Sequence, residues 1–228
     1  NQSHNPKIIK IIKKNIEGVA QLSSERLLDE FKKLTTSNGF IKIFKDKVSL
    51  DIIEIIFPQL KNLQNFKKLN SYAADNLSKV DLIFLLSLMV VDGTDNVDYF
   101  LYKFNISNKD QKRLKAIDFF YKENVSLKNF TEKNLNKIFY FNGRQTVLDV
   151  ISFKLFISNK VEKKLLKLIE IYKDKIIPTM PIGANVLMTK YNIPEGKILG
   201  NKLKIIEEIW VNNDFRISEN QIQKVVKN

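Results

Sequence analysis

Few residues in this chain have the type and spacing to do chemistry, and most of those fail on spacing. The only local carboxylate cluster is DGTDNVD, Asp92 to Asp98. It offers enough oxygen ligands to suggest calcium. A helix–loop–helix calcium site needs glycine at its sixth position and glutamate at its twelfth. Those places hold Val97 and Lys103, so the segment reads as a turn whose carboxylates cap helices. No Asp-x-Asp pair occurs to grip Mg²⁺ for phosphoryl transfer. EGKILG, Glu195 to Gly200, puts Ile198 after Gly196-Lys197 and lacks the first glycine of a phosphate loop. His4 is the single histidine and cysteine is absent, so neither a metal triad nor a His-relayed nucleophile can be assembled. The expectation is a chain with no catalytic residue, metal ligand or cofactor site of its own.

Anion binding is better supported. Lys160, Lys163, Lys164 and Lys167 fall at i, i+3, i+4, i+7, a strip beside the apolar stripe Val161, Leu165, Leu168, Ile169, Tyr172. Lys109, Lys112 and Arg113 repeat the pattern more briefly, as do Lys7, Lys10 and Lys14. Each strip is either a solvated face or a contact for a polyanion. The turn Pro194-Glu195-Gly196-Lys197 presents the free N–H groups of a helix start beside a lysine, a ready anion site. One further cluster stands at the start of LSSERLLDEF. Ser23 is placed to cap a helix and Glu25 to favour its positive end. Arg26 and Glu30 lie four apart at the border of the apolar face, in the less favourable order for a surface pair.

The whole-chain charge agrees with the strips. Thirty-eight Lys and Arg against twenty-five Asp and Glu give +13 and a pI near 9.6. Such an excess meets nucleic acid or an anionic surface, though A/T-rich coding would also enrich Lys, Ile and Asn together. Only Arg26, Arg113, Arg144 and Arg216 are arginines. Arginine reads bases bidentately while lysine supplies point charges to phosphates, so backbone binding is expected. A hydrophobic share of 44% in 228 residues supports a globular core. The lack of cysteine excludes a disulfide scaffold and fits a cytoplasmic setting. The longest apolar run, LIFLLSLMVV at Leu82 to Val91, is too short for the roughly 20 residues of a bilayer helix. It reads as a buried helix, and neither a signal peptide nor a membrane partner is expected.

Almost every periodic segment has the helical period, so an all-α protein is expected. A helix should open at Pro6 and run to about Gly18, and the Ser23 helix follows. VSLDIIEIIFPQL is dense enough in isoleucine to be buried nearly all round until Pro58 stops it. Lys79 to Val91 should form the most apolar helix, and Ser107 should cap one carrying Leu114, Ile117, Phe120 and Tyr121. FNGRQ should break the chain before the helix of Val147, Leu148, Ile151 and Phe156. IIPTMPIG, with Pro178, Pro181 and Gly183, is the strongest boundary. After it come a short helix, the turn NIPEG, and a helix with Leu199, Leu203, Ile206 and Trp210 in register, Trp210 packing in a core.

LSSERLLDEFKKL followed by DIIEIIFPQL resembles the neck of bacterial class II tRNA nucleotidyltransferases and their poly(A) polymerase relatives. There an Ile/Leu-Ser-x-Glu-Arg-Ile helix precedes a hydrophobic-Pro-Glu-Leu segment. Ser23, Glu25, Arg26 and Glu30 match the first element; Phe57, Pro58 and Leu60 match the second, with Gln59 in place of Glu. LYKFNISNKDQKRLKAI is similar to the family's body helix. PTMPIGANVLMTKYNIPEGKILGNKLKIIEEIW is similar to its tail, with Asn185 where Asp is usual. The resemblance implies a multi-helical chain divided as 1–66 back of the neck, 67–177 body and 178–228 tail. It also implies that Ser23, Glu25, Arg26 and Glu30 buttress the neck. The catalytic head, with its Mg²⁺, CTP and ATP, would lie upstream of Asn1, so this piece would be inactive by itself. Its partner would be tRNA or another structured RNA, held at the acceptor and T arms through the backbone by Lys109, Lys112, Arg113, Lys160, Lys163, Lys164, Lys167, Gly196 and Lys197. A stand-alone helical nucleic-acid-binding module and a helical protein-interaction scaffold are the other readings.

Overall fold

A computed structural model describes residues 6–37, 40–123 and 127–227. Among them there are fourteen α-helices and no strand. His4 lies outside the described residues. The chain forms two compact units: one of residues 1–125 with 149–167, the other of 126–148 with 168–228.

The first unit opens with α1 (Pro6–Lys14) and α2 (Ile16–Ala20). They are two helices where one was expected. Asn15 Nδ2 donates to the Ile11 carbonyl at 2.9 Å, and its backbone N–H is shared between the Ile11 and Ile12 carbonyls, which closes the first helix early. α3 (Ser24–Thr35) starts where Ser23 accepts from the Arg26 N–H, as expected of a serine cap. α4 (Phe40–Ile43) leads to α5 (Lys47–Ile56), capped by Asp46 and ended before Pro58. Leu50 and Ile53 are buried, but Ile52 and Ile56 are half-buried and Ile55 is exposed. α5 therefore packs one face only, and the expectation of burial all round is wrong. Its partners reach the core through rings: Phe31 lies 5.1 Å from Phe57, and Phe44 stacks on Phe66 at 4.4 Å.

α6 (Ser71–Asn76) is held at its start by Asn70, whose Nδ2 donates to the Leu155 and Ser158 carbonyls. α7 (Leu82–Val90) starts three residues later than Lys79 because Asp81 Oδ1 accepts from the Phe84 N–H. Ile83 to Val90 is buried throughout, which explains the unbroken apolar run. α8 (Asn96–Lys103) and α9 (Asn108–Glu123) follow. Asn96 Nδ2 donates to the Gln59 and Val90 carbonyls, tying the Pro58 turn to the end of α7. Ser107 both accepts from the Asp110 N–H and donates to its carboxylate, so the expected cap is present. Leu114, Ile117 and Phe120 form its buried face.

α10 (Glu132–Ile157) gives 132–148 to the second unit and 149–157 to the first. Gly143 interrupts it with φ 84°, ψ 173°, the break expected at FNGRQ, in a conformation where side chains other than glycine are strained. α11 (Lys163–Asp174) likewise spans the division, which falls after Lys167. In the second unit Phe139 packs on Tyr172, and Tyr140 on Trp210. After the irregular 175–183 come α12 (Ala184–Tyr191), α13 (Lys197–Asn212) and α14 (Glu219–Lys227). Leu187, Ile193, Leu199, Ile206 and Ile222 form their common core. Trp210 is buried in the core, edge-on to Tyr140 and Phe215. α14 was not anticipated; Lys202 holds it by donating to the Val225 and Val226 carbonyls.

Candidate nucleic-acid interface

The lysines of 160–167 all stand exposed in the first unit, but they are not one helical strip. Backbone N–H groups of Leu165 and Leu166 bond the Glu162 carbonyl, and the helix begins at Lys163. Lys160 and Val161 precede it and lie outside the helical register. Lys163, Lys164 and Lys167 remain together on its first two turns, beside the buried face of Leu165 and Leu168. The first turn of α11 contains no acidic residue. Cations at the positive end of a helix dipole repel it, and a bound anion would relieve that repulsion.

Lys109 and Lys112 are exposed on the outer side of α9, while Arg113 is not with them. Its guanidinium donates from Nε to Asp149 Oδ2 and from Nη2 to Asp81 Oδ2, both at 2.8 Å, with Asp110 at 3.8 Å. Burial disfavours the charged guanidinium; the bonds and charges of Asp149 and Asp81 outweigh this and raise its pKa above the ordinary arginine value. Arg113 therefore fixes α9 against the start of α7 and the second half of α10. Its periodicity with Lys109 and Lys112 gave no hint of the distant carboxylates.

Gly196 precedes α13 with φ 138°, and no atom lies within 4 Å of where a Cβ would be. Lys197 opens the helix, exposed, with no acidic residue in that turn. Gly196, Lys197 and Ile198 are all exposed, in the second unit. Ser23, Glu25, Arg26 and Glu30 are all exposed. Glu30 pairs with Lys33 at 2.8 Å. A glutamate placed N-terminal to its lysine suits the dipole, and the Arg26–Glu30 order does not. The hydrogen bond and charge of Lys33 lower the Glu30 pKa below the ordinary carboxylate value.

Residues 5–64 match the family model described as "Probable RNA and SrmB- binding site of polymerase A". The segment fits the C-terminal region of a poly(A) polymerase/tRNA nucleotidyltransferase family protein. It supports an RNA-binding role within that family. No curated protein matches the chain. In the matched segment ten lysines and one arginine outnumber seven acids, and Lys7, Lys10, Lys13 and Lys14 are all exposed on α1. Among the described residues no three His, Asp or Glu side chains are grouped to hold a metal, and no helix is long and apolar enough to cross a membrane. The lysine strips were legible as spacing. The exposed aromatic side chains Tyr99, Tyr102 and Phe119 were missed, although all three fall outside the apolar register of their helices.

Proposed function

We propose that the chain is the RNA-holding part of a template-independent nucleotidyltransferase, divided as neck (1–66), body (67–177) and tail (178–228). It grips tRNA or a similarly folded RNA at the acceptor and T arms through the sugar–phosphate backbone. The catalytic head of the same polypeptide supplies Mg²⁺ chemistry and adds CTP- or ATP-derived nucleotides to the RNA 3′ end; this chain alone only binds, in the cytoplasm. The observation that carries the reading is the match of residues 5–64 to an RNA-binding family. The lysine-led charge supports it, because lysine contacts phosphates without reading bases. So do the acid-free first turns of α11 and α13, where Lys163, Lys164, Gly196 and Lys197 sit at positive helix ends.

Reversing charge at the α11 strip (Lys163→Glu, Lys164→Glu, Lys167→Glu) tests the proposal, with tRNA binding read by fluorescence anisotropy and folding by circular dichroism. Affinity should fall at least tenfold while the helical signal holds. Unchanged affinity in the folded variant removes this strip from the contact face. Equal affinity of the original chain for tRNA and single-stranded DNA would favour a general nucleic-acid-binding module. With CTP, ATP and Mg²⁺ the chain alone should incorporate no nucleotide, and incorporation would overturn the division of labour.

A further inference from the structure

Four large aromatic side chains stand exposed among the described residues, and three of them lie on α8 and α9: Tyr99 at 64%, Tyr102 at 93% and Phe119 at 65%. Both helices already have a buried face elsewhere. α8 turns Val97 and Phe100 inward, and α9 turns Leu114, Ile117 and Phe120 inward. The outer line of α9 reads Lys112, Lys115, Phe119, Lys122, at i, i+3, i+7, i+10. Lys115 Nζ lies 3.4 Å from Asp98 Oδ1, one residue before Tyr99, so the two outer faces adjoin. Two acids of this surface are engaged, Asp98 with Lys115 and Asp118 with Lys122 at 2.7 Å, while Asp92 is close enough to act on Asp118 and Lys122 by charge. Lys112 is exposed one turn before Lys115 on the same line of α9.

Rings left in water forgo their burial energy, and grouped exposed apolar surface marks a binding site. A helical protein partner would find lysines interrupting the apolar line at every turn. Alternating rings and lysines instead suit single-stranded nucleic acid, whose bases stack on aromatic faces while its phosphates meet cations.

We propose that the α8–α9 surface binds an unpaired RNA segment, with bases stacking on Tyr99, Tyr102 and Phe119 and phosphates meeting Lys112 and Lys115. The site rests on the RNA-binding reading and deepens it. It lies outside residues 5–64 and, drawing Lys112 from the α9 strip, takes unpaired nucleotides where the α11 strip takes folded backbone.

The test compares fluorescein-labelled 12-nucleotide oligo(A) with a 16-base-pair RNA duplex, by anisotropy across a KCl series. The variants are Tyr99→Ala/Tyr102→Ala/Phe119→Ala, Tyr102→Ala alone, and Lys112→Ala/Lys115→Ala. The triple aromatic variant should lose about 100-fold or more in oligo(A) affinity, with its salt slope unchanged and duplex binding nearly unaltered. The lysine pair should flatten the oligo(A) salt slope by about 0.7 per lost phosphate contact. Tyr102→Ala, which removes a ring almost wholly in solvent, guards against misfolding and should alone lose several-fold. Oligo(A) affinity unchanged by the aromatic substitutions, or equal losses for oligo(A) and duplex, overturns the site and leaves the RNA-binding reading standing. An original chain that binds neither RNA overturns both.

Discussion

Replacing Arg113 by alanine should destabilise the first unit by about 3–5 kcal/mol, the cost of breaking a buried ion pair by removing one partner. The magnitude follows from exposure. The Arg113 side chain is 9% exposed and Asp149 5%, so neither charge recovers much hydration when its partner goes. The bond to Asp81 adds only about 0.2–1 kcal/mol, because that carboxylate is half in solvent. Asp81 also keeps its separate bond to the Phe84 N–H. Asp110, at 3.8 Å and without a hydrogen bond, adds less. Changing both buried partners together, Arg113→Met with Asp149→Leu, should recover most of the loss, since apolar replacement of a buried pair is neutral or stabilising. Urea unfolding followed by far-ultraviolet circular dichroism measures both variants against the original. A single-variant loss below about 1 kcal/mol, or a double variant worse than the single, would refute the reasoning. Arg113 would then be an accessible cation, free to join Lys109 and Lys112.

Three further outcomes follow from named contacts. Asn96→Ala leaves the Gln59 and Val90 carbonyls without their side-chain donor and should cost about 1–3 kcal/mol in the same unfolding assay. Gly196→Ala meets no steric neighbour, yet φ 138° should cost about 1–3 kcal/mol in strain, read as a lower melting temperature. Asp118 has its carboxyl pKa raised, first by burial, against the opposing bond from Lys122, and its Oδ1 is buried without a partner. A raised carboxyl pKa means the folded state binds the proton more tightly, so stability falls as pH rises through the window just above the ordinary carboxylate range. Asp118→Asn should flatten that part of the pH–stability profile, and an unchanged profile would rule Asp118 out as its source.

The helical period made the class legible, because each helix except the wholly buried α7 keeps an apolar face at its own spacing. Caps were legible where a side chain acts within one turn, as at Ser23 and Ser107. What spacing could not show is which partner a residue meets across the fold. Arg113 looks like a member of a lysine strip until the chain brings Asp81 and Asp149 to it. Ile55 looks buried until α5 packs on one side only. Lys160 sits in perfect register with Lys163, Lys164 and Lys167, but register means nothing before a helix has begun, and α11 begins after it. The aromatic surface of α8 and α9 was readable in principle as rings off the apolar register, but no spacing rule singled those rings out.

The salt dependence of tRNA affinity tests the central claim most directly. If lysines hold the RNA framework, log affinity should fall linearly with log KCl, losing about a thousandfold or more between roughly 50 and 200 mM for six or more phosphate contacts. Binding that ignores salt, or no binding at low salt, would contradict the account.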